Sequence, residues 1–121
     1  EVSISTRFKE SDENQKNNTY DVLESQISDA LQDLIELNSL IIAYEPVWSI
    51  GTGIILKSDD LFKTISFIKK KKKNYKVLYG GSVNPKNINQ LKSINNIDGY
   101  LIGGASQDPK KFIDIIKKTY N

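Results

Sequence analysis

Cysteine, histidine and methionine are all absent from these 121 residues. Without cysteine there can be no disulfides and no thiolate metal site. Without histidine the chain lacks the commonest general acid/base and the commonest metal ligand. Apolar runs reach only about five residues, far short of the ~20 that cross a bilayer, and no membrane partner is expected. The opening residues mix Glu, Ser, Thr, Arg and Lys, which is not the pattern of a signal peptide. Seventeen basic and 15 acidic residues leave a net charge of +2, with no overall nucleic-acid footprint. Methionine is missing even at position 1, where a complete translation product would begin, so the chain is expected to be a piece of something longer.

What is present fits one soluble globular unit: 38% hydrophobic and 26% charged residues. Residues 1–18 are polar and irregular, and Ser11 to Asn18 is expected to be an exposed loop. A helix is predicted from Thr19, with Asp21 in its first turn and Leu23, Ile27, Ala30, Leu31 and Leu34 at helical spacing. Leu40 to Tyr44 is continuously apolar, as in a parallel strand covered on both faces. Ser58-Asp59-Asp60 starts the next helix, with Leu61, Ile65 and Ile68 on its inner face and a run of lysines, Lys69 to Lys73, at its end. That run suits a solvated helix terminus better than a nucleic-acid contact. Lys76 to Tyr79 is a second strand, followed by Gly80-Gly81-Ser82 and a helix capped by Asn84 and opened by Pro85. Ile97 to Ile102 is a third strand, ending at Gly103-Gly104. The last helix starts at Asp108-Pro109 and carries Phe112, Ile113, Ile116 and Tyr120.

Helix, then strand–helix three times, implies a parallel sheet with right-handed crossovers. An open doubly wound sheet and a closed (β/α)8 barrel both fit this alternation. Three strands cannot close a barrel alone, and the preferred reading is part of one, with strand edges left unpaired.

Every unusual residue falls at the C-terminal end of a strand, the edge where parallel α/β folds bind ligands. Glu45 ends the first strand, Gly80-Gly81-Ser82 follow the second and Gly103-Gly104 follow the third. Glycine pairs let backbone N–H groups approach a ligand closely, and a phosphate suits them at a helix N-terminus. Glu45 emerges from five apolar residues, so its carboxylate is partly desolvated, which suits a base. Trp48 to Gly53 combines a bulky anchor, an apolar tip at Ile50 and glycines flanking Thr52, the ingredients of a lid. The same residues would also serve as a helix cap beside an ordinary glycine turn.

Three motifs sharpen that choice. AYEPVWSIGTG (Ala43 to Gly53), YGGSVNP (Tyr79 to Pro85) and DGYLIGGAS (Asp98 to Ser106) resemble the triosephosphate isomerase family in order and spacing. TYDVLESQI (Thr19 to Ile27) is similar to the family's helix before the catalytic strand. The resemblance covers most of residues 19–121. It implies the C-terminal part of a (β/α)8 barrel spanning residues 1–121, with 1–18 as a loop and 19–121 as a helix and three β–α units. It implies that Glu45 is the catalytic base, moving a proton between adjacent carbons of a triose phosphate through an enediol(ate). Gly51, Ser82, Gly103 and Gly104 would bind the substrate phosphate. Tyr79 and Ser82 would hold the closed lid over Thr52 and Gly53, and Ile50 and Leu101 would press on Glu45. Trp48 would pivot, partnered by Tyr44 when open and by Glu1 when closed.

Departures from the family pattern carry their own expectations. Ile54-Ile55-Leu56 replaces a Lys and small residues at the second hinge, and branched side chains there should slow or bias lid motion. Ser49 stands where Ala is frequent, a change expected to be mild. Lys69 replaces a common Arg and cannot form a bidentate pair. The family's catalytic Asn, Lys, His and second Glu lie upstream of what matches here, so the chain alone is expected to be inactive and to need the N-terminal half of the barrel as its partner. The resemblance further implies a homodimeric, glycolytic enzyme without metal or cofactor. Its location would be cytoplasmic, or plastid if a transit segment has been removed. The other reading is a catalytically incomplete half-barrel that binds phosphate compounds or a complementary half.

Overall fold

The computed structural model describes residues 2–6, 13–32, 40–71 and 75–121. Its elements alternate from the first residue described. Strand β1 (Val2–Thr6) leads to helix α1 (Glu13–Leu31) and strand β2 (Ile41–Pro46). Helix α2 (Ser58–Lys71), strand β3 (Lys76–Tyr79), helix α3 (Ile88–Lys92), strand β4 (Gly99–Tyr100) and helix α4 (Pro109–Tyr120) follow. The sheet is entirely parallel and runs in chain order, β1-β2-β3-β4, with Ile4 beside Tyr44 and Tyr44 beside Tyr79. Unbroken order over four strands exceeds the three that either half of the classic doubly wound order supplies. The sheet is therefore wound in one direction, and the fold is part of a (β/α)8 barrel.

The three anticipated strand–helix units are present, and β1 adds a fourth strand where residues 1–18 were expected to form a loop. Val-Ser-Ile-Ser-Thr alternates apolar and polar residues with period two, a short signal easily lost among charged neighbours. Helix α1 likewise begins at Glu13 and not at Thr19. Its first turns, Glu13 to Asn18, are all polar and three of the six are asparagine, so neither propensity nor an apolar period marks them. Glu1, Leu34, Lys72 and Lys73, each given a part in the sequence-based expectations, lie outside the described residues.

One hydrophobic cluster joins all the layers. Leu23 and Ile27 of α1, Ile42 and Tyr44 of β2, Leu61, Ile65 and Ile68 of α2 and Val77 and Tyr79 of β3 are buried together. Leu40, Leu56, Val83, Ile88, Leu91, Ile94 and Ile115 complete it. In β2, Ile42, Ala43 and Tyr44 are buried in succession, as a strand covered on both faces requires.

The last unit departs from expectation. Ile97 to Ile102 contains only a two-residue strand, because β4 pairs with β3 alone among the described residues. Flanking bonds from Asp98 N–H to Val77 and from Leu101 N–H to Tyr79, each 2.9 Å, continue its alignment. On α4 the buried residue is Ile115, whereas Phe112, Ile113, Ile116 and Tyr120 are exposed. The helix start is as anticipated: Asp108 caps it, its carboxylate accepting the N–H groups of Lys110 and Lys111, with Pro109 inside the first turn. Helix α3 is shorter than expected, starting at Ile88. Asn84 instead caps the turn before it, its Oδ1 accepting from Lys86 N–H at 2.8 Å and Asn87 N–H at 3.1 Å.

Candidate active site

The C-terminal ends of β2, β3 and β4 open into one cleft of about 870 Å³. Glu45, Ile50, Gly51, Gly53, Ser82, Leu101, Gly103 and Gly104 all line it. Most residues singled out in the sequence thus meet at one place. Trp48, Thr52 and Tyr79 support the cleft from behind or above without lining it.

Glu45 is half-buried at the end of β2. Its position depends on Gly80, whose N–H bonds Tyr44 at 2.9 Å and continues the β2–β3 ladder. A Cβ on Gly80 would lie 2.8 Å from Glu45 Cγ and 3.1 Å from Leu101 Cβ. Glu45 and Leu101 therefore face one another across a backbone with no side chain. Gly81 is similarly constrained, since a Cβ there would overlap the Tyr79 hydroxyl and come within 2.7 Å of Ser49 Oγ. Packing alone accounts for these two glycines. Gly103 and Gly104 differ: a Cβ on either would meet no protein atom within 4 Å. Both are exposed and line the cleft.

The segment expected to form a lid begins in a 3₁₀ turn, Val47–Ser49. Gly51 and Gly53 have φ of 73° and 75°, in the left-handed region that glycine adopts without strain. Ser82 reaches the lid directly. Its hydroxyl donates to the Ser49 carbonyl and accepts the Gly53 N–H at 3.1 Å. Ser82 is itself left-handed, with φ of 48°, a conformation that costs a non-glycine residue on the order of 1 kcal/mol. Two side-chain amides hold it there: Asn87 Nδ2 and Asn84 Nδ2 both donate to the Ser82 carbonyl, at 2.8 and 3.2 Å. Sequence reasoning took Asn84 for a helix cap and passed over Asn87. The spacing of two asparagines three residues apart, just after a Gly-Gly-Ser, was the available signal.

Trp48 packs on the core, and Tyr44 is fully buried. Neither Trp48 Nε1 nor the Tyr44 hydroxyl has a hydrogen-bond partner among the described residues, so the expected Trp48–Tyr44 pair is not made in this arrangement. Tyr44 instead lies against the ring of Tyr79, centroids 6.2 Å apart. Ile50, the lid tip, is 53% exposed at the cleft mouth. Lys86, Lys110 and Lys111 add positive charge to the rim, which favours an anion.

Behind the strands, Asp98 ties β4 to β3 and α2. Its carboxylate accepts the Val77 N–H at 2.8 Å and pairs with Lys69 at 2.8 Å. Both contacts fall on Oδ2, the single-oxygen pairing expected of a lysine. Burial pulls the Asp98 carboxyl upward, but the bonds from Lys69 and Val77 and the charges of Lys69 and Lys76 together hold it below the ordinary carboxylate value. Among the described residues no cluster of carboxylates could hold a metal ion, and no helix is long and apolar enough to cross a membrane.

The chain matches the family model described as triosephosphate isomerase over residues 8–119. It is similar to the triosephosphate isomerase of Thermodesulfovibrio yellowstonii, 40% identical over 114 residues that cover 88% of this chain and 46% of the relative. The Leptospira biflexa enzyme is 41% identical over 118 residues, covering 87% and 47%. That of Mesomycoplasma hyopneumoniae strain 232 is 48% identical over 99 residues, covering 81% and 40%. The chain spans about half the length of these curated relatives.

Proposed function

The chain belongs to the triosephosphate isomerase family, and on that premise we propose that it supplies the base, the lid and the phosphate grip of an enzyme interconverting dihydroxyacetone phosphate and glyceraldehyde 3-phosphate. The observation that carries this reading is the convergence of Glu45 with Gly51, Ser82, Gly103 and Gly104 on one cleft. The backbone N–H groups of the glycines and the Ser82 loop bind the phosphate, and the lysine rim draws it in. The Glu45 carboxylate then takes a proton from the carbon beside the substrate carbonyl. The electron pair of the broken C–H bond forms a C=C bond and the carbonyl π pair moves onto its oxygen, giving an enediol(ate). The neighbouring hydroxyl proton passes to that oxygen, and the same carboxyl returns its proton to the adjacent carbon as the new carbonyl forms. No atom is lost and no redox partner is required. Ile50 and Leu101 shield the carboxylate while the lid excludes water, the division of labour established for this family.

Polarising the carbonyl calls for an electrophile, and these 121 residues contain no histidine. We therefore assign that group to sequence beyond this chain, and the chain alone is inactive. Its partner is the N-terminal half of the barrel, and the assembled enzyme is a cytoplasmic homodimer acting in glycolysis and gluconeogenesis. The missing histidine equally favours a second reading, a half-barrel that retains phosphate binding and has lost turnover.

The two readings separate on complementation. The chain is to be co-produced with the N-terminal segment of the Thermodesulfovibrio yellowstonii relative and assayed as an isomerase. Activity restored by the added segment, and lowered about 10²- to 10⁴-fold by Glu45→Gln, is the expected result. Normal turnover in Glu45→Gln would remove Glu45 from the base role. Phosphate binding without activity in any combination would leave the second reading.

A further inference from the structure

Ser49 is the hub of the lid, although serine there looked like a mild replacement. It is fully buried. Its hydroxyl donates to the Ile54 carbonyl at 2.5 Å, across the mouth of the loop. Its own carbonyl accepts the Thr52 hydroxyl at 2.9 Å and the Thr52 N–H at 3.3 Å, and also the Ser82 hydroxyl. Thr52 Oγ1 in turn accepts the Ile54 N–H at 3.1 Å. Residues 49–54 are thus tied end to end, once directly and once through Thr52. Gly81 vacates the space in which the Ser49 hydroxyl sits. An alanine at position 49 would keep the two carbonyl bonds from Thr52 and lose the direct one.

We propose that Ser49 is a positioning residue whose hydroxyl closes residues 49–54 into a ring and so holds the loop's N–H groups arranged for phosphate. The proposal rests on the lid and phosphate-grip reading above, but its first readout needs no ligand.

The test uses the full chain carrying Ser49→Ala and, separately, Ser49→Cys, which keeps nearly the same volume with a much weaker donor. Amide hydrogen exchange is measured at Gly53 and Ile54 in the lid and at Leu61 and Ile65 in α2, followed by titration with inorganic phosphate. Both variants should exchange faster at Gly53 and Ile54, by on the order of fivefold, the scale of one net hydrogen bond, with Leu61 and Ile65 unchanged. Phosphate affinity should fall by a similar factor. A Cys variant that behaves like the parent would show that volume alone matters and overturn the proposal. So would acceleration spread equally through α2, which would mean that Ser49 serves the fold and not the lid. If the parent chain fails to bind phosphate, the phosphate grip is refuted, while the lid exchange still decides the ring.

Discussion

The β2–β3 unit and the β4–α4 unit are built from the same kind of sequence and reach different states of completion. Strand β2 is paired on both sides, its apolar run is buried in succession, and helix α2 sinks Leu61, Ile65 and Ile68 into the core. Strand β4 keeps two residues of ladder, and helix α4 buries Ile115 while leaving Phe112, Ile113, Ile116 and Tyr120 in solvent. A parallel strand needs a neighbour on each edge and a helix over each face before its pattern is spent. The same βα motif is therefore finished or unfinished according to what lies beside it. The cleft sits across this divide, with Glu45, Ile50 and Gly51 on the finished side and Gly103 and Gly104 on the other.

Substitutions can break that contrast, and the largest effect belongs to the finished unit. Ile65→Ala should lower stability by about 2–5 kcal/mol in urea denaturation, because α2 is too tightly packed to collapse around the void. A small loss would mean that the two units are equally loose. Gly81→Ala comes next, at about 1–3 kcal/mol, since its Cβ collides with Tyr79 and Ser49. Its lid amides should exchange faster than those of α3, which a general loosening would not produce.

The joint between the units is electrostatic and titrates. Because the Asp98 carboxyl is held low in the folded chain, its contribution is fully present above the ordinary carboxylate value and disappears as pH falls through the folded one. Asp98→Asn should therefore be less stable than the parent near pH 7, with the gap closing toward pH 3. Urea midpoints across that range check the sign, and a gap that widens in acid would refute it. The smallest effect belongs to the unfinished side. Ile116→Lys should change stability by no more than about 0.5 kcal/mol while reducing self-association in sedimentation.

How much of this was legible in advance follows the same divide. The apolar run at Leu40 to Tyr44 and the shorter Val77 to Tyr79 predicted their strands, because their length and the β-branched and aromatic residues in them favour a strand over a helix. Helix α4 defeated its own pattern. Phe112, Ile113 and Ile116 gave a convincing apolar stripe, yet only contacts with neighbouring elements decide which side of such a stripe is covered, and Ile115 won. Strand β1 escapes detection because its period-two signal spans only five residues among charged neighbours, and the first turns of α1 because they hold no apolar residue. In the site, the glycines could be located but not sorted. Gly80 and Gly81 answer to Glu45, Leu101, Tyr79 and Ser49, neighbours that only the folded backbone brings near, whereas Gly103 and Gly104 answer to none. Ser82 was anticipated as a lid contact, but the two asparagines that hold its left-handed backbone were not, since that conformation has no trace in composition.

Trp48 carries a consequence of a different kind. It is the only tryptophan in the chain, and it sits in the 3₁₀ turn at the first hinge with its indole N–H unpaired among the described residues. Emission excited at the red edge of the protein's absorption therefore comes from that hinge, and its wavelength tracks the polarity around the indole. The molecule has its own optical gauge in that turn, and on the lid reading proposed above closure is to be followed in real time without attaching a dye.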